Sequence, residues 1–302
     1  MGRRVVWILL IVSVLVSGVA AWIALEAAAE VQYPRRPVMP SFRGRKPVAL
    51  APSARAQQAR DALFAELQPV RLANCELARY GEENDGGYLA CRNLLKDVRS
   101  AYSYGISGYD GWGCEVSTEL KVPVHQYDCF NTTQPLCPSG KPVFHPECIA
   151  ASPSTDSDGR VFDSMQGQFA KNGDSAKQVI VKIDVEGAEW DSMLSTPDEV
   201  FDRIDQMIFE FHGVDQNIAR SLEVVLKLKR FFYVAHLHIN NFSCLRGLQP
   251  FGGWAYEVTF VSKRLAKLDP DASQVTLPTP LDSPNNPMVP DCQVPPGLPG
   301  NR

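Results

Sequence analysis

The chain reads as an α/β protein, a Rossmann-like doubly wound domain whose mainly parallel sheet has seven strands, behind an N-terminal transmembrane helix. Three observations predict this. Strand-like and helix-like segments alternate from Ala101 to Val261, as they do when crossover helices join parallel strands. The run Val179-Ile180-Val181-Lys182-Ile183 is almost continuously apolar and leads straight into Asp184-Val185-Glu186-Gly187-Ala188-Glu189-Trp190. That is how a buried parallel strand looks when it delivers carboxylates to the carboxyl edge of a sheet, where open α/β sheets bind ligands. Finally, Val5 to Leu25 is a stretch of 21 uncharged, mostly apolar residues, long enough to cross a bilayer as a helix.

From the N-terminus, Arg3 and Arg4 precede the apolar stretch, so the positive-inside rule places the tip in the cytoplasm. Trp7 and Trp22 fall near the two interfaces. Residues 1–25 are therefore read as cytoplasmic tip and anchor of a single-pass type II membrane protein facing the endoplasmic reticulum or Golgi lumen. The competing reading is a signal peptide cleaved near Ala27-Ala28-Ala29, with the protein then secreted; a signal peptide's apolar core is shorter than this one. Residues 26–58, rich in Pro, Arg, Ala and Ser, read as a flexible stalk. The folded domain covers 59–265, and the Pro-rich tail 266–302 reads as disordered or loosely wrapped, with Cys292 as a tether.

All eight cysteines follow the anchor, as suits a compartment where disulfides persist. A zinc site from His125, Cys129, Cys137, His145 and Cys148 matches no zinc spacing. Asn131-Thr132-Thr133 and Asn241-Phe242-Ser243 are glycosylation sequons, the first in a polar loop and the better candidate. A net charge of −4 and the lack of a long basic run argue against a nucleic-acid partner.

Within the domain, Gln57 to Leu67 suits a first helix, Ala101 to Gly105 a first strand and Val122 to Tyr127 a second. Cys148 to Ala151 is a weaker strand, and Arg160 to Ala170 looks helical. Gln178 to Ile183 and Gln206 to Phe211 are strands, a helix follows from Asn217 to Arg230, and Phe231 to Leu237 and Tyr256 to Val261 complete the series. A helix starting near Glu186 would place Glu186 and Glu189 on one face.

The first strand enters Tyr104-Gly105-Ile106-Ser107-Gly108-Tyr109-Asp110-Gly111-Trp112-Gly113, whose glycines let backbone approach a bound nucleoside closely. Asp128 ends the second strand, placed to accept hydrogen bonds from ribose hydroxyls. Asp110, Glu115, Asp128 and Asp184 make the region acidic, which suits a ligand carrying a sulfonium and an ammonium, such as S-adenosylmethionine, better than a diphosphate. Glu210 and His212 end the next strand and His238 the one after. Histidine there suits deprotonation of a substrate hydroxyl, and Asp184, Glu210 and His212 would alternatively hold a divalent cation. Glu186, Glu189 and Glu210 are the candidate substrate contacts.

Together "YSYGISGYDGWGCE", "VHQYD" and "VKIDVEGAEW", with the upstream Asn84-Asp85-Gly86-Gly87-Tyr88-Leu89-Ala90-Cys91, resemble the FkbM-like class I methyltransferases, and within them the methyltransferase-like protein 24 group. The resemblance spans residues 75 to 261, and the I-D-x-E-G-x-E stretch is its most specific part. It implies a Rossmann-like fold with S-adenosylmethionine over the first, second and fourth strands. Gly105, Ser107 and Gly108 would line the methionine end, Asp128 the ribose and Asp184 the reaction edge, with Asp85 and Gly86 also at the cofactor. The glycine turn departs from the common E/D-x-G-x-G-x-G form. The activity expected is O-methylation; lumenal placement makes a glycan hydroxyl the first acceptor, with a secreted small molecule or protein side chain behind it, and His212 or His238 at the strand ends as base.

Two rivals remain. Asp156-Ser157-Asp158 is a D-x-D pair of the kind that holds metal and nucleotide sugar in lumenal glycosyltransferases. A non-catalytic glycan-binding module on a methyltransferase fold is the other.

Overall fold

The computed structural model describes residues 54–244, 249–269 and 275–292; the apolar stretch Val5 to Leu25 and the stalk up to residue 53 lie outside the described residues. Among the described residues, no helix is long and apolar enough to cross a membrane. The chain runs α1 (Ala54–Glu66), β1 (Leu77–Gly81), β2 (Gly87–Cys91), β3 (Ser100–Tyr104), α2 (Gly111–Leu120), β4 (Pro123–Tyr127), β5 (Lys141–His145), β6 (Glu147–Ile149), β7 (Ser154–Thr155) and β8 (Val161–Asp163). It continues through α3 (Met165–Lys171), β9 (Val179–Ile183), α4 (Glu189–Ser195), α5 (Asp198–Phe201), β10 (Ile204–His212), α6 (Ile218–Phe231), β11 (Phe232–Ile239) and β12 (Ala255–Ser262).

Seven strands form one sheet in the order β11-β12-β10-β9-β3-β4-β5. β12 runs antiparallel to both its neighbours, and the pairs β10–β9, β9–β3, β3–β4 and β4–β5 are parallel. The chain winds outward from β3 through β4 to β5, then returns to the other side of β3 with β9. This reversal between β3 and β9 is the topological switch point where doubly wound sheets bind ligands.

Alternation along the strands sorts side chains between the two faces. Val179, Val181 and Ile183 of β9 join Leu63 and Phe64 of α1, Trp190 and Met193 of α4, and Val224, Val225 and Leu228 of α6 in one core. Ile180 of β9 and Ile208 of β10 face the opposite way and pack with Trp112 and Val116 of α2 and with Tyr80, Tyr88 and Ala90 of the antiparallel β1–β2 hairpin. The hairpin is fixed by polar contacts: Gln206 of β10 accepts from the Cys91 backbone N–H and donates to the Cys91 carbonyl, each at 2.8 Å. Thr259 of β12 donates to the Leu89 carbonyl at 2.6 Å.

Several expectations need correction. The third strand of the main sheet is Lys141–His145, whereas Glu147–Ile149, close to the expected Cys148 to Ala151, belongs to a separate three-stranded sheet with β7 and β8. β5 is an edge strand, half exposed, and carries Pro142, which an edge tolerates and which hides its strand character. The expected helix Arg160 to Ala170 begins only at Met165, capped by Ser164. The tail is not loose in its described part: residues 275–292 lie on the domain, with Arg79 donating to the Leu281 carbonyl, Asn84 to the Pro284 carbonyl, and Asn285 fully covered.

Four disulfides use all eight cysteines: Cys75–Cys91, Cys114–Cys137, Cys129–Cys148 and Cys244–Cys292. They suit folding in an oxidising, secretory or lumenal compartment and leave no thiolate for the zinc site weighed above. The last of them ties the tail to the turn that follows β11.

Because a buried backbone group left unpaired costs about 1–3 kcal/mol, Gln206→Leu, which strips both partners from Cys91, is expected to lower the unfolding free energy by about 2–5 kcal/mol in urea denaturation.

Candidate functional site

The alternation that places Ile180 under the hairpin also sends Lys182 and Asp184 to that face, and in β10 it sends Ile208, Glu210 and His212 there. β9 and β10 are adjacent and parallel, so Asp184, Glu210 and His212 meet at one carboxyl edge. The hairpin lays Tyr88 over them, and β12, starting at the same edge, adds Glu257 opposite Glu210.

At this edge, Lys182 Nζ lies 3.0 Å from the Gly105 carbonyl and 3.2 Å from Asp184 Oδ2. The Tyr88 hydroxyl stands 3.3 Å from Asp184 Oδ2 and 3.2 Å from Glu210 Oε2, with one proton to donate. Asn240 Nδ2 donates to Glu210 Oε1 at 2.7 Å. His212 Nε2 faces Glu186 Oε2 at 3.4 Å, Glu210 Oε1 at 3.6 Å and Asp184 Oδ1 at 3.8 Å. Its other ring nitrogen is buried without a hydrogen bond, 3.7 Å from Glu189 Oε1.

Charge at this edge is one-sided. Burial and the neighbouring Asp184 carboxylate push the Glu210 carboxyl well above the usual range, although His212 pulls the other way. Burial disfavours a charged His212, but Glu189, Glu210 and Asp184 more than offset it and raise the imidazole well above its ordinary pKa. Lys182 follows the same logic: burial would lower it, and Asp184 and Asp110 raise it. The surrounding carboxylates therefore favour the charged forms of both side chains.

The turn between β3 and α2 lies beside this cluster. Gly105, Ser107 and Gly108 all take left-handed conformations, with φ of 73°, 46° and 80°. A Cβ on Gly105 would come within 1.6 Å of the Asp184 carbonyl oxygen, so only glycine lets the turn pass the end of β9. Asp128 flanks the other side: its Oδ2 accepts from the Ser107 amide, and its Oδ1 from the amides of Phe130 and Asn131, each at 2.8 Å. The visible work of Asp128 is thus to clamp the turn to the loop after β4. Asp110 is likewise structural, capping α2 through Gly113 and accepting from Ser103 and Gln126, while Glu115 accepts from the Gly81 amide.

Other expected site residues are placed differently. Asp85 and Gly86 form the tip of the β1–β2 hairpin, at the rim of the Asp184 cluster rather than at the glycine turn, and Asp85 accepts from Asn285 of the tail. Glu186 and Glu189 do not share a helix face. Glu186 takes a left-handed turn (φ 54°) and α4 starts only at Glu189. Glu189 is 0% exposed, with one oxygen on the Gly187 amide and the other on the His212 amide, so it braces the site and is closed to substrate. Glu186 has a side chain 54% exposed at the mouth.

His238 is removed from the base role. It is 2% exposed, with Nδ1 2.9 Å from Glu257 and Nε2 2.9 Å from Asp291 of the tail. Burial alone would lower its pKa, but the hydrogen bonds to Asp291 and Glu257 push it up to about 10. Asp156 and Asp158 both pair with Arg160, at 2.7 and 2.6 Å, in an exposed hairpin outside the main sheet. Asn241 is buried and donates its amide to the carbonyls of Asn286 and Val289, so the folded chain offers that sequon no free nitrogen; the half-buried Asn131 donates to the Ser107 carbonyl.

Sequence reasoning passed over Lys182, Tyr88, Asn240, Glu257 and Asn285. Only Lys182 carried a signal, a lone cation inside an apolar strand. A cleft of about 550 Å³ lies at the start of α2, between Glu82, Tyr109, Glu115 and Leu136, and none of Asp184, Glu210 and His212 lines it.

No protein-family model matches the chain, and no curated protein matches it.

His238 carries a pH signature. Its proton is bound in the folded state and lost from the unfolded state between the ordinary value of 6.5 and about 10. The associated stability is full below pH 6.5 and drains away as pH approaches 10. Urea midpoints are expected to fall across that window, and Asp291→Asn to lower them chiefly at its acid end and flatten the slope.

Proposed function

We propose that the chain is an S-adenosylmethionine-dependent O-methyltransferase of the secretory pathway, held by its N-terminal apolar stretch and acting on a hydroxyl of a glycan or a small molecule. The observation that carries this reading is the contact between the left-handed Gly105 turn and the backbone of Asp184, which sets a close-approach loop directly against an acid-rich edge. The reversal of winding between β3 and β9 puts both at the ligand-binding position of a doubly wound sheet.

The residues present fit the donor by charge. Asp85, Asp184, Glu186, Glu210 and Glu257 crowd around Lys182 and His212, and the carboxyls of Asp85, Glu186 and Glu210 are all raised, first by burial and then by neighbouring carboxylates. A ligand bringing positive charge relieves that crowding. When bound, S-adenosylmethionine supplies a methyl group on a sulfonium sulfur. Lys182 holds the Gly105 carbonyl and Asp184 in fixed relation. Because neighbouring carboxylates favour the protonated forms of both His212 and His238, the proton acceptor for the hydroxyl is a carboxylate in this reading. Glu186 is the one at the open mouth, and its raised pKa makes it a stronger base than an ordinary carboxylate.

The glycosyltransferase reading is disfavoured by Arg160, which neutralises both Asp156 and Asp158. The test is calorimetry on the full-length, disulfide-intact protein in detergent, with chelator present. S-adenosylmethionine is expected to bind with micromolar affinity, in the ordinary range for enzyme substrates. Asp128→Ala, which frees the Ser107 amide, is expected to weaken it at least about 10-fold. Binding of a uridine-diphosphate sugar with manganese and not of S-adenosylmethionine would favour the glycosyltransferase; binding of neither by folded protein would favour a glycan-binding module.

A further inference from the structure

We propose that Asp184, Glu210 and His212 form a binding centre for one first-row divalent cation, Zn²⁺ or Mn²⁺, at the carboxyl edge of β9 and β10. The inference deepens the proposed function, since it concerns the same edge, but it stands on separate observations.

The three side chains offer one carboxylate oxygen each from Asp184 and Glu210 and one imidazole nitrogen from His212, all within 4.8 Å of one another. The second observation is His212 itself. The residue is 9% exposed, yet Nε2 points between the two carboxylates at 3.6 and 3.8 Å without a hydrogen bond to either. Those separations are too long for a shared proton. They match a shared cation: two ligands each about 2.1 Å from a tetrahedral Zn²⁺ stand about 3.4 Å apart.

The surroundings are built to aim these atoms. Asp184 turns Oδ1 to His212 while Lys182 and Tyr88 hold Oδ2. Asn240 fixes Glu210 Oε1. On the far side of the imidazole, Glu189 Oε1 accepts from the His212 amide, which fixes the backbone that carries the ring, and lies 3.7 Å from Nδ1. A donor set of two carboxylates and one imidazole suits borderline first-row ions better than Ca²⁺ or Mg²⁺, which favour all-oxygen sites. Glu186 Oε2, 3.4 Å from Nε2 and half exposed, borders the open side. A cation held there would lower the pKa of a hydroxyl on that side, and the Glu186 carboxylate would take the proton while the O–H electron pair stays on oxygen.

The test uses full-length, disulfide-intact protein stripped with chelator and titrated by calorimetry with ZnCl₂ and, separately, MnCl₂, without S-adenosylmethionine. One site per chain is expected, tighter for Zn²⁺ than for Mn²⁺. His212→Gln and Glu210→Gln are each expected to weaken it by 10-fold or more, on the order of the loss of a metal ligand or its support. The metal-free variants should still melt cooperatively, with Asp184→Asn as substitute for any that does not. The Asp156→Asn/Asp158→Asn double variant should bind as the parent protein does. No saturable binding, affinity unchanged in His212→Gln, or binding lost in the Asp156/Asp158 variant would overturn the proposal. S-adenosylmethionine binding to the metal-free protein separates the two readings: that binding without cation binding sinks only the metal centre, and cation binding without it sinks only the methyltransferase.

Discussion

A buried ammonium holds this site together. Lys182 sits in the middle of an apolar strand, almost wholly covered, with its Nζ between the Gly105 carbonyl and the Asp184 carboxylate and under the Tyr88 ring at 5.4 Å. A buried charge persists only when paired and hydrogen-bonded. Lys182 therefore obliges three pieces of chain to converge: the turn after β3, the end of β9 and the hairpin above them. Each has its own reason to be there. Glycine is needed where the turn crosses Asp184, and the hairpin is pinned from below by Gln206 and Thr259.

Once Lys182 and Asp184 are paired, the remaining carboxylates have too few partners. Glu210 and Asp85 draw on neutral donors instead, from Tyr88, Asn240 and Asn285, while Glu257 shares Asn285 with Asp85 and also pairs with His238. The tail belongs to this economy of charge. Asn285 spans Glu257 and Asp85, Asp291 takes the far side of His238, and Asp282 faces His236 at 2.8 Å. A segment short of large apolar residues is thus seated by single polar contacts and one disulfide rather than by a hydrophobic face.

That explains what was legible in the sequence and what was not. β9, β10, β11 and β12 announce themselves as apolar runs because both faces of the sheet are covered, and α6 by its periodic Val224, Val225 and Leu228. β5 stayed hidden because an edge strand with one proline, two exposed and three half-buried positions has the composition of a loop. The convergence of Asp184, Glu210 and His212 followed from reading parallel strands to one edge. The roles of Glu189 and His238 did not, since the spacing of two glutamates says nothing about a left-handed residue at Glu186 that delays the helix, and β11 does not disclose that Asp291 returns to cover its histidine. The tail's prolines suggested looseness; its anchoring lies in side chains whose partners are about 200 residues away in sequence, as with Asn285 and Asp85.

Crowded carboxylates hold His212 toward its charged form at the carboxyl edge. The most direct measurement is nitrogen-15 NMR of the metal-free protein labelled at its five histidines, with the His212 signals assigned by their loss in His212→Gln. Near neutral pH both ring nitrogens of His212 are expected at imidazolium shifts, with a titration midpoint well above the ordinary histidine value. A neutral His212 ring in a single tautomer under the same conditions would contradict it.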